Sequence, residues 1–364
     1  NNDVTLPALS GLAVLGGRGK DIVNNTGTIT GSTFLGGGDD TVNLDASGTT
    51  TNALFDGGDQ TDTFRLSGSG SNTLAGAQHQ NFEKLEKTGS STWSLTGMNS
   101  FSQSATFLGG LLDLSGTLTT PALTNQAGLT AGGVGTTGTG TVDGNLVQTE
   151  KGRFVVDVDI AAGTSDRINV TGTAQLSGTV APNLLNPVPI GSSQNTIQSA
   201  AGGTTAHSLT LAPELQSAFL YSLELLYPNP NDVVLGITVG FLPSGLNRNQ
   251  LAVATNINDA VIKSGGAQDP LNGGGGLNPL INAMLLGVRS LAEYRSVLNQ
   301  LTPEAVLNSA SGMVGTGEEF TNNLFSCPVT GTAYAFIAQG QCVWVRPEGR
   351  YLQRDRTDQN VGYE

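Results

Sequence analysis

The clearest alternation along the chain lies between residues 154 and 160. Phe154, Val156, Val158 and Ile160 are apolar and are separated by Val155, Asp157 and Asp159, giving an extended segment with one apolar and one mostly acidic face. Shorter runs follow the same rule. Thr92-Trp93-Ser94-Leu95-Thr96-Gly97, Phe107-Leu108-Gly109-Gly110-Leu111-Leu112-Asp113-Leu114 and Gly144-Asn145-Leu146-Val147-Gln148 read as strands closed off by Gly, Ser, Thr, Asn and Asp. A tight turn leads into Asp166-Arg167-Ile168-Asn169-Val170-Thr171-Gly172, and Ala174, Leu176 and Val180 continue the pattern. Tyr221 to Tyr227 and Asp232 to Leu235 read as a hairpin across Pro228-Asn229-Pro230-Asn231.

Near residue 246 the period changes to that of a helix. Leu251, Ala254, Ile257 and Val261 form one apolar stripe. Leu277, Leu280, Ile281, Met284, Leu285, Val288, Leu291 and Leu298 form a stronger one after the flexible Gly273-Gly274-Gly275-Gly276 run. Thr302-Pro303-Glu304 supplies an N-cap, a first-turn proline and an early acid for a third helix with Val306 and Leu307, and strand character returns at Val343-Trp344-Val345-Arg346.

A repeat runs through the N-terminal part. Gly16-Gly17-Arg18-Gly19-Lys20-Asp21-Ile22-Val23, Gly36-Gly37-Gly38-Asp39-Asp40-Thr41-Val42 and Gly57-Gly58-Asp59-Gln60-Thr61-Asp62-Thr63-Phe64 each place a Gly-Gly…Asp turn before an apolar strand, with Asp21, Asp40 and Asp62 spaced 19 and 22 positions apart. A coil of about 20 residues suits a solenoid whose turns stack about 4.8 Å apart. The expected fold is all-β, a single-stranded parallel β-helix followed by a short α-helical linker, with about ten to twelve coils in a rod of roughly 50 Å.

Composition agrees with this. The 364 residues include 51 Gly, and only 12% are charged and 5% aromatic, unlike a conventional compact core. The 16 Lys and Arg against 29 Asp and Glu leave a net charge of −13, which opposes a nucleic-acid backbone or an anionic membrane as partner. No apolar run approaches the ~18 residues of a membrane helix, and Asn1-Asn2-Asp3-Val4 is not a signal peptide, so the start reads as trimmed or internal. Cys327 and Cys342 are the two cysteines, 15 positions apart. Paired, they would form one local disulfide worth roughly 3 kcal/mol and imply an oxidising compartment; two unrelated free thiols are the other reading.

The order of elements resembles the autotransporters of Gram-negative bacteria, with a pertactin-like passenger. Gly144-Asn145-Leu146-Val147-Gln148 through Asp157 to Asp166-Arg167-Ile168-Asn169-Val170-Thr171-Gly172-Thr173-Ala174 is similar to the passenger signature upstream of the autochaperone region. Leu225-Leu226-Tyr227 with Asp232-Val233-Val234-Leu235 resembles the autochaperone strands. Leu246-Asn247-Arg248-Asn249-Gln250, the junction from Tyr294 to Pro303, and Cys342-Val343-Trp344-Val345-Arg346 with Gly349 resemble the linker and first barrel strand. The resemblance covers roughly residues 140–364 and departs at Glu364, short of the dozen or so strands of the family's barrel. It implies N-terminal coils over 1–143, C-terminal coils with an autochaperone-like region over 144–243, a helical linker over 244–326 and the start of a translocator barrel over 327–364. It also implies export to the bacterial outer-membrane surface or secretion, C-terminus first, with the chain's own barrel as partner during export and the terminal coils nucleating folding.

Candidate chemistry is sparse. His79 and His207 are the two histidines and neither lies in a metal or triad pattern; no G-x-S-x-G, H-E-x-x-H or P-loop motif occurs. Asp157 and Asp159 would stand on one strand face about 6.6 Å apart, a separation comparable to that of inverting glycosidases, although aspartates on a strand commonly just solvate it. Residues 16–21 match one calcium nonapeptide, but such sites need consecutive nine-residue repeats. Asp21, Asp40 and Asp62 recur at about 20 residues, which favours corner turns with aspartate capping. The expectation is therefore no catalytic residue, no cofactor and no metal. The function expected is a non-enzymatic adhesin or host-interaction factor binding a host receptor or extracellular matrix component. A β-helical polysaccharide-acting enzyme and a self-associating structural module are the alternatives.

Overall fold

The computed structural model of the chain describes residues 11–51, 54–159, 162–185, 191–213, 219–263, 278–302, 327–328 and 334–335. Ile160, Gly273 to Leu277, the helix expected beyond Thr302, the strand from Val343, and Cys342 with its expected link to Cys327 lie outside them. The chain is mostly β, with 52% strand and three helices towards the C-terminal side, and it winds into a parallel β-solenoid of about 8 turns.

The first turn contributes β1 (Leu12–Leu15), β2 (Ile22–Asn25) and β3 (Thr28–Thr30). Each later turn stacks on its predecessor in parallel register. One column runs Val23, Val42, Phe64, Leu85, Ala105, Leu123, Leu146, Ala174. A second runs Asn72, Trp93, Leu112, Leu129, Phe154, Val180, Leu211, and a third Asn99, Leu118, Val142, Val170, Ala200. Alternation decides which residues enter: in Thr63–Ser67, Phe64 and Leu66 are buried while Thr63, Arg65 and Ser67 are half-buried on the other side. Stacking puts like positions of successive turns in contact, so the apolar columns fuse into one lumen. Aromatic rings fill its N-terminal part. Phe64 meets Phe55 and Phe82 edge to face at centroid distances of 5.6 and 5.0 Å, and His79 stacks on Phe101 at 4.7 Å.

The expected ten to twelve coils are too many. Steps along the first column begin at 19 residues, between Val23 and Val42, and reach 28 between Leu146 and Ala174. The later turns are longer because strands such as Thr139–Gln148 and Ala174–Leu184 bend round a corner and serve two columns. Glycine makes the tight corners possible. Gly58 has φ +98°, and a Cβ there would lie 1.9 Å from the Gly36 carbonyl oxygen one turn below. The expected hairpin forms: Tyr221–Leu226 pairs antiparallel with Asp232–Val239, which also pairs antiparallel with Gly191–Ala200 and closes the parallel stack.

Two compact units emerge, one comprising residues 1–239 and 261–287, the other residues 240–260 and 288–364. Helix α1 is Arg248–Lys263, α2 is Asn278–Gly287 and α3 is Leu291–Leu301. The α1 stripe is shifted from expectation. Ala254, Ile257 and Val261 are buried, but Leu251 is 46% exposed and Gln250 takes the inward place, where its side-chain amide donates to Asn299 Oδ1 at 2.9 Å. The long stripe is split in two at residues 288–290, where Ser290 caps α3 by accepting from the Glu293 N–H. Thr302 closes α3 as its C-cap. Tyr294 is fully buried and donates its hydroxyl to the Phe241 carbonyl at 2.8 Å.

One member of the lumen lining is charged in water. Lys87 lies between Leu66 and Phe107 in the inward register and is fully buried, its Nζ donating to the carbonyls of Gly109 at 2.7 Å and Thr88 at 3.2 Å. Burial lowers its pKa to about 8. The unfolded chain therefore holds a proton between that value and the ordinary 10.5 that the folded chain has released, and stability rises with pH across this window. Denaturant titrations at pH 7.5 and 10 should show this rise in the parent relative to Lys87→Met; equal pH responses would contradict it.

Candidate functional site

Carboxylates gather at two places. At the corner before the first column, they tie each turn to the one before. The Asp21 N–H donates to Asp40 Oδ1 at 2.6 Å, the Asp40 N–H to Asp62 Oδ1 at 2.7 Å, and the Asp62 N–H to Glu83 Oε2 at 2.7 Å. The corner bends the backbone out of the strand ladder, so side-chain oxygens supply the acceptors that a neighbouring carbonyl would supply within a sheet. Asp40 and Asp62 are buried, and their second oxygens have no hydrogen-bond partner among the described residues. Asp62 is pushed up to about 6, chiefly by burial and then by the charges of Asp40, Glu83 and Asp39, against the lowering effect of its bond to Asp40. The aspartates picked out as calcium-turn candidates thus act on backbone N–H groups. No group of three or more His, Cys, Asp or Glu among the described residues is placed to share a metal ion.

The second gathering lies beneath the loop of residues 131–138. Asp113 accepts from the Gly133 N–H at 2.9 Å and from the hydroxyls of Ser94 and Ser115. Asp157 Oδ2 accepts from the N–H groups of Gly135 at 2.6 Å and Thr136 at 3.2 Å, while its Oδ1 accepts from Asn183 at 2.5 Å. Asp166 accepts from the Gly138 N–H at 2.9 Å, from Thr130 Oγ1 at 3.1 Å and from the Asp157 N–H at 3.0 Å. Three buried acids from three different strands or turns thereby strap one glycine-rich loop whose tip, Val134, is 62% exposed. Burial first, and then the charge of Asp157, push Asp166 up to about 6 in spite of three hydrogen bonds that lower it.

This geometry corrects the reading of Asp157 and Asp159 as an accessible pair. Phe154, Val156 and Val158 do turn inward, but the opposite face is covered at Asp157, which is fully buried under the loop. Asp159 is half-buried and accepts from the Ala162 N–H at 2.9 Å. With both oxygens engaged by donors and the side chain buried, the Asp157 carboxylate holds the loop. His79 is likewise internal, its Nε2 3.0 Å from Asn99 Oδ1 and its pKa lowered by burial; the side chain of His207 lies outside the description. Trp93 is buried and donates its indole N–H to the Ser67 carbonyl at 3.1 Å.

What faces outward is a set of polar ladders. Asn43 donates to Asn24 at 2.6 Å, and Arg65 reaches Asn43 at 3.1 Å and Glu86 at 2.6 and 2.8 Å, so four successive turns are joined along one face. Thr119 and Thr171 flank Asp143 similarly on another face, at 3.4 and 2.9 Å. A small internal cavity lies among the C-terminal turns, lined almost wholly by apolar residues including Leu129, Phe154, Leu176 and Val233. Among the described residues no helix is long and apolar enough to cross a membrane, a fact without bearing on membrane β-barrels. No family model matches the chain, and no curated protein matches it in sequence.

Two outcomes follow. Asp157→Asn should cost about 1–3 kcal/mol and accelerate amide exchange at Gly135 and Thr136, with the far-UV spectrum unchanged. Unchanged exchange there would show that Asp157 does not hold the loop. For Asp166, the folded pKa lies above the unfolded one, so the folded chain binds the extra proton. The stability this gives is present below about pH 4 and is lost as pH rises through about 6. The advantage of the parent over Asp166→Asn should therefore be larger at pH 4 than at pH 7, by roughly 1–3 kcal/mol, and a gap independent of pH would contradict the raised pKa.

Proposed function

We propose that the chain is the surface-exposed or secreted passenger of an autotransporter, acting as a non-enzymatic adhesin or host-interaction factor whose partner is a host receptor or matrix component. The observation carrying this reading is the division of labour among polar groups. The buried carboxylates are engaged by backbone N–H groups at corners and under the 131–138 loop, whereas the outward ladder from Asn24 to Glu86 repeats across turns without converging on a cleft. Such a surface favours distributed contact, each turn adding a little to the whole. The solenoid with its antiparallel closing strands, together with the order of sequence motifs from Gly144 onward, supports the family assignment. On that assignment the Cys327 and Cys342 pair and the segment over 327–364 belong to the start of the translocator, and the outer-membrane barrel is the partner during export.

The reading is tested by titrating purified chain onto cultured host cells and immobilised matrix proteins, with parallel incubation against pectin-like and other glycan polymers assayed for new reducing ends. Saturable binding without product is expected. Catalytic release of sugar products would replace the adhesin reading with that of a polysaccharide-acting enzyme, and concentration-dependent sedimentation without host binding would replace it with that of a self-associating module.

A further inference from the structure

The loop of residues 131–138 leaves the coil between Gly128–Thr130 and Thr139–Gln148, and its peptide units are sorted by direction. The N–H groups of Gly133, Gly135, Thr136 and Gly138 all point inward, to Asp113, Asp157 and Asp166. Left-handed φ angles at Gly133 (+84°) and Gly135 (+92°) turn the units to that side, which a residue with a Cβ would resist. The units are trans, so each carbonyl points opposite to the N–H of its own unit. The carbonyls of Gly132, Val134, Gly135 and Thr137 are therefore directed away from the acids. Gly132 accepts the Thr136 hydroxyl, whereas the other three carbonyls have no donor among the described residues. Val134, Gly135 and Thr136 are exposed. Each unit thus sets the positive end of its dipole on a buried carboxylate and the negative end at the surface. The bonds to the three acids come from N–H groups, hydroxyls and the Asn183 amide, all neutral, so the dipoles relay the charge outward rather than cancel it.

We infer that this loop is the contact point for a basic segment of a protein partner, an arginine or lysine side chain lying over Val134 with its cationic head on the outward carbonyls. The inference rests on the adhesin reading and names the chemistry of the partner. A surface that offers only acceptors calls for groups that only donate, which describes guanidinium and ammonium. Val134, 62% exposed at the tip, gives the aliphatic stem of such a residue an apolar seat. A Cβ at Gly135 would meet nothing within 4 Å, so the backbone beside the tip is open to close approach. The bonds to Asp113, Asp157 and Asp166 hold the loop in place before any partner arrives, which lowers the ordering cost of binding. Charge complementarity decides against other occupants. An anionic polysaccharide, or a second copy of this chain with its net charge of −13, would bring acceptors and like charge to the same carbonyls. One valine offers too little area to seat a partner by apolar contact alone.

The test titrates an arginine-rich peptide, and a glutamate-rich one of the same length, onto the parent chain and two variants. Each variant adds one positive charge: Val134→Lys places a tethered ammonium at the loop tip, and Met98→Lys places one at another position, 76% exposed. Far-UV spectra and amide protection at Gly135 and Thr136 report that the fold and the strapped loop survive in both. The parent should bind the arginine-rich peptide, more weakly as salt rises, and not the glutamate-rich one. Val134→Lys should weaken that binding about tenfold or more, with Met98→Lys within about twofold of the parent. Equal weakening in both variants would assign binding to the acidity of the whole chain and overturn the proposal, as would peptide binding that is absent or unchanged in Val134→Lys. The same chains applied to host cells and matrix proteins separate two failures. Saturable host binding that Val134→Lys leaves intact would strike the loop and keep the adhesin reading. Loop-dependent peptide binding by a chain that binds neither cells nor matrix would keep the loop and strike that reading.

Discussion

Parallel stacking in register is the constraint on which this molecule rests, because no single turn can bury its own side chains. A strand of five residues such as Thr41–Asp45 sends only Val42 and Leu44 inward, and two side chains do not make a core. Repeating the strand directly above itself changes that. Val42 gains Phe64 above it and Leu44 gains Leu66, and the column continues as long as each turn returns to the same azimuth. The requirement to return explains the glycines: a corner that must pass within van der Waals distance of the corner below admits no Cβ, as at Gly58 over Gly36.

Corners create the second problem, and carboxylates solve it. Where the chain leaves one sheet for the next, its N–H groups point away from the ladder, and an unpaired buried N–H costs about 1–3 kcal/mol. Asp40, Asp62 and Glu83 supply the missing acceptors from the following turn, so the same bond that satisfies one corner also fixes the vertical register of two. The loop of residues 131–138 is held by the same device at larger scale, with Asp113, Asp157 and Asp166 each taking one or more of its N–H groups. The cost is desolvation of the acids, visible in the upward displacement of Asp62 and Asp166. Acidity in this chain is thus partly structural: these acids sit where a water-facing charge would be useless and a buried acceptor is needed.

Much of this was legible in the sequence, and the illegible parts share a cause. Alternation at Phe154, Val156 and Val158 showed which side of the strand faces the lumen, and the Gly-Gly…Asp spacing showed that turns stack at about 20 residues. Neither signal says what lies over the outer side of a strand. Asp157 therefore looked solvated, because the loop that buries it is made twenty residues earlier and is brought there only by stacking. Asp166, read as the start of a strand, belongs to the same strap for the same reason. Lys87 follows from the alternation in Lys84-Leu85-Glu86-Lys87, which sends Leu85 and Lys87 to one side; the ordinary expectation that lysine faces water concealed it. The turn count failed because a fixed period was carried into a region where strands of ten and eleven residues bend through corners. In α1 the apolar residue Leu251 and the polar residue Gln250 exchanged places because the Gln250 amide finds a partner in the half-buried Asn299.

A nearest-neighbour architecture also shapes what the surface can do. Each turn is stabilised chiefly by the turns on either side, so the outward residues between them are relieved of any duty in the core and are free to vary in chemistry. The constraint that remains is vertical. Side chains one above another must tolerate a separation of about 4.8 Å, which favours amides, hydroxyls and opposite charges that bond along the column. The sequence Asn24, Asn43, Arg65, Glu86 meets that condition by alternating donors and acceptors, ending in an ion pair between Arg65 and Glu86 at 2.6 Å. A partner of the kind proposed would meet, along such a column, amide and charged groups repeated from turn to turn. Recognition of that kind gains from length: adding turns adds contacts of the same kind, and a lost contact in one turn leaves the others in place.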